Sequence, residues 1–153
     1  MTALEFDERN TKWSAIEVPD YGLWSGFEFS PLAGSSDFKV VDFLIKFPPK
    51  QEANGKVTNL VAMHRHRGIT HTFVIAGEHH IYEPDGTLRE ARPVGSITLG
   101  KPGDLHQECG GPDGAVVHYS TRGAGMLFEV LDDRGNVLGG LTLENLVAAC
   151  GGA

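Results

Sequence analysis

Residues 63–71 of the chain read Met-His-Arg-His-Arg-Gly-Ile-Thr-His and hold three of its seven histidines. In a β-strand, side chains at positions i and i+2 point to the same face, so the imidazoles of His64 and His66 can reach one point. A further imidazole, His106, follows the turn-forming segment Pro-Gly-Asp-Leu at 102–105. Three neutral imidazoles suit a divalent first-row metal ion, and an open coordination position makes such a site catalytic. We predict that His64, His66 and His106 are metal ligands.

The composition is that of an ordinary globular protein. With 153 residues, of which 41% are hydrophobic and 22% charged, the chain is expected to form a single domain over residues 1–153. Its 13 basic and 20 acidic residues give a formal charge of −7. An acidic surface argues against binding to nucleic acid or to anionic membranes, and no apolar run is long enough to span a bilayer.

The ends and the cysteines indicate a cytoplasmic location. Residues 1–10 are acidic and lack the apolar segment of a signal peptide. Cys109 and Cys150 form no CxxC pair, so a disulfide framework is not expected and a reducing compartment is the simpler interpretation.

The pattern along the chain predicts an all-β fold. Twenty glycines and eight prolines supply turns between short alternating or apolar stretches, which is typical of a sandwich or a barrel. Thr142 is placed to cap a short C-terminal helix over 143–149. We expect an N-terminal arm over 1–20 and a barrel core over 38–138. The predicted strands cover 23–29, 38–47, 57–66, 71–76, 78–83, 94–99, 115–121, 125–131 and 137–138, with a weaker pattern over 88–93.

The two histidine segments resemble the motifs of the cupins, which are small jelly-roll barrels. The first cupin motif is G-x5-H-x-H-x(3,4)-E-x6-G. His64, His66 and Gly77 follow it, with His71 in the glutamate position, Thr58 in place of the first glycine and one residue fewer before Gly77. The resemblance implies a cupin double-stranded β-helix.

The second cupin motif, G-x5-P-x-G-x2-H-x3-N, lies further along. Gly95, Gly103 and His106 match it in register, whereas Lys101 replaces the proline and Gly110 the asparagine. The two motifs occur in the expected order and cover residues 64–110.

A narrower resemblance concerns the group of the acetylacetone-cleaving enzyme and 2,4'-dihydroxyacetophenone dioxygenase. It rests on the His-Arg-His-x-Gly segment, the Gly-Glu-His-His-Ile-Tyr-Glu strand over 77–83 and the tail over 131–138. It implies a mononuclear Fe(II) dioxygenase that uses O2 to cleave a C–C bond of a dicarbonyl or hydroxyketone substrate. In that group three histidines and no carboxylate hold the iron. Zinc, nickel and manganese are alternatives, because imidazole suits each of them.

Three further residues are predicted to act catalytically beside the metal: His71, Tyr82 and His118. His71 is either a fourth ligand, a hydrogen-bonding residue near the ligands or a surface histidine. Tyr82 shares a strand face with Glu78 and His80, while His79 and Ile81 occupy the other face, and either face can line the barrel. Of the neighbours His118 and Tyr119, His118 is the better candidate for the cavity.

Two other functions fit the same residues. One is a non-catalytic zinc cupin that serves as a sensor or binding module. The other is a metal-dependent isomerase or lyase, which would turn over without O2. In each case we expect a homodimer or homotetramer, with an exposed strand edge such as 23–29 as a place for pairing.

Overall fold

The computed structural model describes residues 5–151, and these form twelve strands and one helix. The strands are β1 (Ser14–Val18), β2 (Gly22–Ser35), β3 (Val40–Phe47), β4 (Glu52–Ala53), β5 (Lys56–Val57), β6 (His64–His66), β7 (Ile69–Tyr82), β8 (Leu88–Pro93), β9 (Ile97–Gly100), β10 (Leu105–Arg122), β11 (Met126–Leu131) and β12 (Val137–Thr142). The helix α1 covers Leu143–Ala149. The prediction of an all-β fold with a short C-terminal helix is confirmed.

Ten of the strands form one sheet that curls into an almost closed barrel. Its order is β1-β2-β3-β10-β6-β11-β12, and β7 joins through β10 and carries β8 and β9. The long strand β10 pairs with β3, β6 and β7, so it connects the two sides of the barrel. Strands β4 and β5 form a separate hairpin.

The interior is packed with aliphatic and aromatic side chains. Val74, Val117, Leu127 and Val130 are fully buried. Near the middle of the barrel, the ring of Phe43 stacks on another buried ring, that of Tyr119, with centroids 5.2 Å apart. Apolar side chains removed from water in this way supply the main driving force for closing the sheet.

The helix forms where the sequence places it. Thr142 accepts a hydrogen bond from the backbone N–H of Asn145, and the Asn145 side chain accepts one from the backbone of Thr142. This reciprocal capping satisfies two backbone donors that the first turn leaves unpaired. Leu143 and Leu146 attach the helix to the barrel core. Within residues 5–151, no helix is long and apolar enough to cross a membrane.

Several strand bounds differ from the prediction. The segments 71–76 and 78–83 belong to one strand, β7. Gly77, which was expected to end the first segment, lies within this strand with a φ of +70°. An added Cβ at Gly77 would collide with the carbonyl of Gly114, so this close approach requires glycine. Most of 57–66 is irregular, since strand structure is confined to β5 and the three residues of β6.

The N-terminal region takes part in the sheet. Ser14–Val18, expected in an arm, form β1 and pair with β2. Because β2 also pairs with β3, the segment 23–29 is not the exposed edge that the sequence suggested.

Candidate metal centre

Two neighbouring strands present the candidate ligands to the barrel interior. His64 and His66 flank Arg65 on β6, and both imidazoles are buried while Arg65 is only partly so. On β10, His106 and Glu108 stand in the same i, i+2 relationship, so their side chains share a face. His64 and His106 are direct partners in the antiparallel pairing of the two strands. The register therefore brings both pairs to one place.

These four side chains form a compact, buried donor cluster. One potential ligand atom from each of His64, His66, His106 and Glu108 lies within 4.8 Å of every other. Glu108 Oε2 is 3.1 Å from Nε2 of His64 and 2.9 Å from Nε2 of His106. The predicted histidines are thus brought together, with a carboxylate added to them.

The hydrogen bonds on the far sides of the rings show that the cluster fits a metal ion. Nδ1 of His64 donates to the Ala62 carbonyl at 2.8 Å, and Nδ1 of His106 lies 3.1 Å from Asp104 Oδ2. When a metal ion displaces the protons from these rings, the same bonds aim both Nε2 lone pairs at the place that Oε2 of Glu108 also faces. Imidazole nitrogens and a carboxylate that converge in this way suit a divalent first-row metal.

The candidate cluster contains a carboxylate, Glu108, that was not among the predicted ligands. Glu108 does not occupy the glutamate position of the first cupin motif, which His71 holds. It comes instead from β10, two residues beyond His106. The spacing His106-x-Glu108 repeats the spacing His64-x-His66, and that repetition was the signal in the sequence that could have identified it.

A second set of contacts holds Glu108. Its Oε1 accepts a hydrogen bond of 2.6 Å from the Tyr119 hydroxyl, and Nε2 of His79 lies 3.4 Å away. Both neighbours are buried. Glu108 is therefore contacted through both oxygens, one facing the histidine cluster and the other facing Tyr119 and His79.

The environment sets the protonation of these groups. Burial by itself raises the pKa of Glu108, but hydrogen bonds from His106, His64 and His79 outweigh burial and hold that pKa well below 4.5. Burial and the neighbouring His106 and His64 lower the pKa of His66 well below 6.5. Burial and then the charge of Glu108 raise the pKa of Tyr119 well above 10. At neutral pH the carboxylate is ionised, His66 is neutral and Tyr119 is a donor.

A cavity of about 420 Å³ opens beside the cluster. His66, His106 and Glu108 contribute to its wall, so the donor atoms are accessible to a small molecule. Polar and charged side chains line the rest, together with Ile81 and Leu99. The polar and charged ones are Thr70, Thr72, His79, Arg92, Thr98, Lys101, Asp104 and Tyr119.

The structure places the three predicted catalytic residues elsewhere. His71 is on the outer face of β7, because its neighbours Thr70 and Thr72 are the buried, inward residues. His118 also faces outward, with Nε2 3.5 Å from Asp42 Oδ1. Tyr119 takes the inward position that was expected for His118. In the described part of the chain, neither histidine lines the cavity.

Tyr82 lies on the side of β7 that faces away from the cavity. His79 and Ile81 line the cavity, which decides between the two faces that the sequence left open. Tyr82 is buried near Cys109 and Lys50, and burial followed by the influence of Cys109 raises its pKa above 10. His79 and Tyr119, rather than the three predicted residues, line the cavity and contact Glu108.

Known structures share this architecture. An acetylacetone dioxygenase from Acinetobacter johnsonii is 16% identical with a TM-score of 0.66, over 99% of this chain and 92% of that one. An RmlC-like cupin protein from Ralstonia eutropha JMP134 is 13% identical with a TM-score of 0.68, over 100% and 90%. The polyketide cyclase RemF from Streptomyces resistomycificus is 15% identical with a TM-score of 0.57, over 79% and 80%.

At these identities the similarity shows the fold, and the fold is that of a cupin. The sequence matches no protein-family model and no curated protein. The resemblance to cupins inferred from the two histidine motifs is confirmed.

Proposed function

We propose that this protein is a mononuclear Fe(II) dioxygenase that cleaves a C–C bond of a dicarbonyl or hydroxyketone substrate with O2. The observation that carries the proposal is the buried cluster of His64, His66, His106 and Glu108 at the wall of a cavity of about 420 Å³. The shared fold with an acetylacetone dioxygenase supports the choice of reaction.

The same four residues would hold the metal. A bound Fe(II) ion would supply a Lewis acid for the oxygens of an enolised substrate and reactivity toward O2. The protein orients two of its ligands through Ala62 and Asp104, since these hold the rings of His64 and His106 with Nε2 toward the cluster.

Enolisation of a dicarbonyl compound requires a base, and His79 in the cavity wall can take a proton. Burial lowers the pKa of His79, so this imidazole is neutral at neutral pH, whereas Glu108 would be a metal ligand with a pKa well below its usual value. Tyr119, which stays protonated, donates to Oε1 of Glu108 and stabilises the ionised carboxylate. Glu108 thereby holds His79 and Tyr119 at the cavity wall, with His79 as the group that takes a proton from the substrate.

The wall behind the ligands is mostly apolar. A small cavity of about 40 Å³ on that side is lined mostly by apolar and aromatic side chains, including Trp24, Phe43 and Phe128. Trp24 packs edge-on against His64, and Phe128 packs edge-on against His66. Apolar packing of this kind keeps the ligand rings in place and strengthens electrostatic interactions at the site.

The test is reconstitution of the purified protein with Fe(II) under anaerobic conditions, followed by O2 uptake with β-diketones and 2-hydroxyacetophenones. We expect one iron per chain and substrate-dependent O2 uptake, with both lost in His66→Ala. Protein that contains one iron and consumes no O2 with any of these compounds would contradict the proposal.

A second candidate is a metal-dependent isomerase or lyase. The presence of His79 and Tyr119 beside Glu108 favours it, because these groups can serve acid–base steps of a reaction that does not consume O2. Anaerobic turnover of a dicarbonyl substrate by zinc-loaded protein would support this candidate over the dioxygenase.

A further inference from the structure

The cavity has a cationic side that the proposed reaction does not use. Arg92 and Lys101 both contribute to its wall, in addition to the histidine cluster. Arg92 is placed there by pairing, because it is the direct partner of His79 between β8 and β7. Residues directly opposite each other in an antiparallel pair share a face, and His79 faces the cavity.

Arg92 keeps most of its hydrogen-bonding capacity. Only 13% of its side chain is exposed, and its Nε donates to Glu90 Oε2 at 3.0 Å. Within residues 5–151, neither Nη atom has an acceptor at hydrogen-bond distance. A guanidinium with a free pair of donors matches a carboxylate in shape and charge.

The wall of the same cavity also contains an unpaired hydroxyl, that of Thr72. Oγ1 of Thr72 is buried and has no hydrogen-bond partner in the described part of the chain, although Thr72 lines the cavity. Buried polar groups are nearly always hydrogen-bonded, so this atom is suited to a polar group of a ligand.

The acidic groups of the cavity are already compensated. Asp104 accepts hydrogen bonds from Arg89 and contacts His106. Glu108 is occupied by the histidines and Tyr119. Lys101, by contrast, has no ion pair within residues 5–151, and the partner of Arg92, Glu90, has a half-exposed side chain. This ion pair occupies Nε of Arg92 and leaves its Nη groups free for another acceptor.

The charge balance at the metal does not require Arg92 or Lys101. A divalent ion is balanced by ionised Glu108 and a singly charged enolate, so neither Arg92 nor Lys101 is needed for the enolate itself. We propose that the substrate carries a carboxylate next to its dicarbonyl unit, as in a 2,4-dioxo acid, and that Arg92 binds this carboxylate. This inference rests on the proposed function, whose site it deepens.

Two ligands that differ only in this group provide the test: acetylacetone and 2,4-dioxopentanoate, in which a carboxylate replaces one methyl group. Their binding to zinc-loaded protein is measured calorimetrically without O2, so the readout does not depend on turnover. We expect the wild type to bind 2,4-dioxopentanoate roughly 10- to 100-fold more tightly than acetylacetone, as a charged, bidentate hydrogen bond predicts. Arg92→Gln should remove that preference and leave the affinity for acetylacetone unchanged.

The control is Arg134→Gln, which removes an exposed arginine from the β11–β12 turn and should preserve the preference. Equal affinity of the wild type for the two ligands, no binding of either, or an equal loss for both in Arg92→Gln would overturn the inference. Preferential binding without O2 uptake by the Fe(II) protein would support the carboxylate site and contradict only the dioxygenase.

Discussion

The Tyr119 hydroxyl donates a hydrogen bond of 2.6 Å to Oε1 of Glu108, although the two residues are eleven positions apart on the same strand. In a regular strand an odd separation places two side chains on opposite faces. Here both face the cavity, because the pairing of β10 with β7 shifts register between Gly110 and Ala115, where the extra residues are on β10. This irregularity exchanges the inward and outward positions along β10.

Replacement of Glu108 by glutamine tests its role as a ligand. Glu108→Gln keeps the shape of the side chain but removes the charge, so we expect metal affinity to fall at least ~10-fold. Metal content after competition with a chelator measures this. Glu78→Gln is the control, since Glu78 contacts His80 outside the cluster. Equal metal affinity in wild type and Glu108→Gln would show that the histidines suffice.

Loss of the Tyr119 hydroxyl should destabilise the metal-free protein. Hydrogen bonds to charged groups contribute about 1.5–3 kcal/mol, so Tyr119→Phe should lower the free energy of unfolding in urea by about that amount. Tyr82→Phe is the matched control, and we expect it to cost less because Tyr82 does not contact Glu108. If Tyr82→Phe instead lowers the turnover of the iron-loaded protein more than Tyr119→Phe, the catalytic role first predicted for Tyr82 is supported.

The outward histidines are expected to be dispensable. His71→Asn and His118→Asn alter side chains that lie outside the cavity wall, so turnover should stay within about threefold of wild type. His79→Asn, which alters the cavity histidine beside Glu108, should lower turnover much more. A loss in His118→Asn as large as that in His79→Asn would mean that the outer face takes part in the reaction.

Metal binding should depend on pH through His106. Burial alone lowers its pKa, but hydrogen bonds with Asp104 and Glu108 raise it to about 9 in the metal-free protein. Because this pKa lies above the usual 6.5, the metal-free protein retains the proton at neutral pH, and a metal ion must displace it. Apparent affinity for Co(II) should therefore rise about tenfold per pH unit between pH 7 and 8, with proton release on binding. A pH-independent affinity in that range would contradict this.

Substitution of Gly77 and of Gly86, which both have a positive φ, distinguishes the cost of backbone strain from the cost of a steric collision. Gly86 has a φ of +88° and nothing within 4 Å of an added Cβ, so Gly86→Ala should cost about 1 kcal/mol for the left-handed conformation. Gly77→Ala adds a collision with the carbonyl of Gly114, so its cost in urea unfolding should exceed that of Gly86→Ala by about 1 kcal/mol or more. Equal costs would mean that β7 and β10 move apart easily at this point.

Local spacing in the sequence determined much of the fold and three of the four donor residues of the candidate cluster. The alternating segments and turns predicted an all-β sandwich or barrel, and the i, i+2 histidines with the turn before His106 predicted three donor residues, because these features depend only on neighbouring positions. The cupin barrel followed from the resemblance of the two histidine segments to the cupin motifs. Thr142 and the capped helix were equally local.

The tertiary structure alone decided which residues surround the ligands. The bulges in β7 and β10 invert the alternation, which turns His79 and Tyr119 inward and His118 outward, and Tyr82 away from the cavity. Their positions follow from pairing between distant strands rather than from spacing along one strand. The position of Glu108 depended on both levels. Its spacing from His106 is visible in the sequence, but only the register of β6 with β10 shows that its carboxylate lies within 4.8 Å of a ligand atom of each of the three histidines.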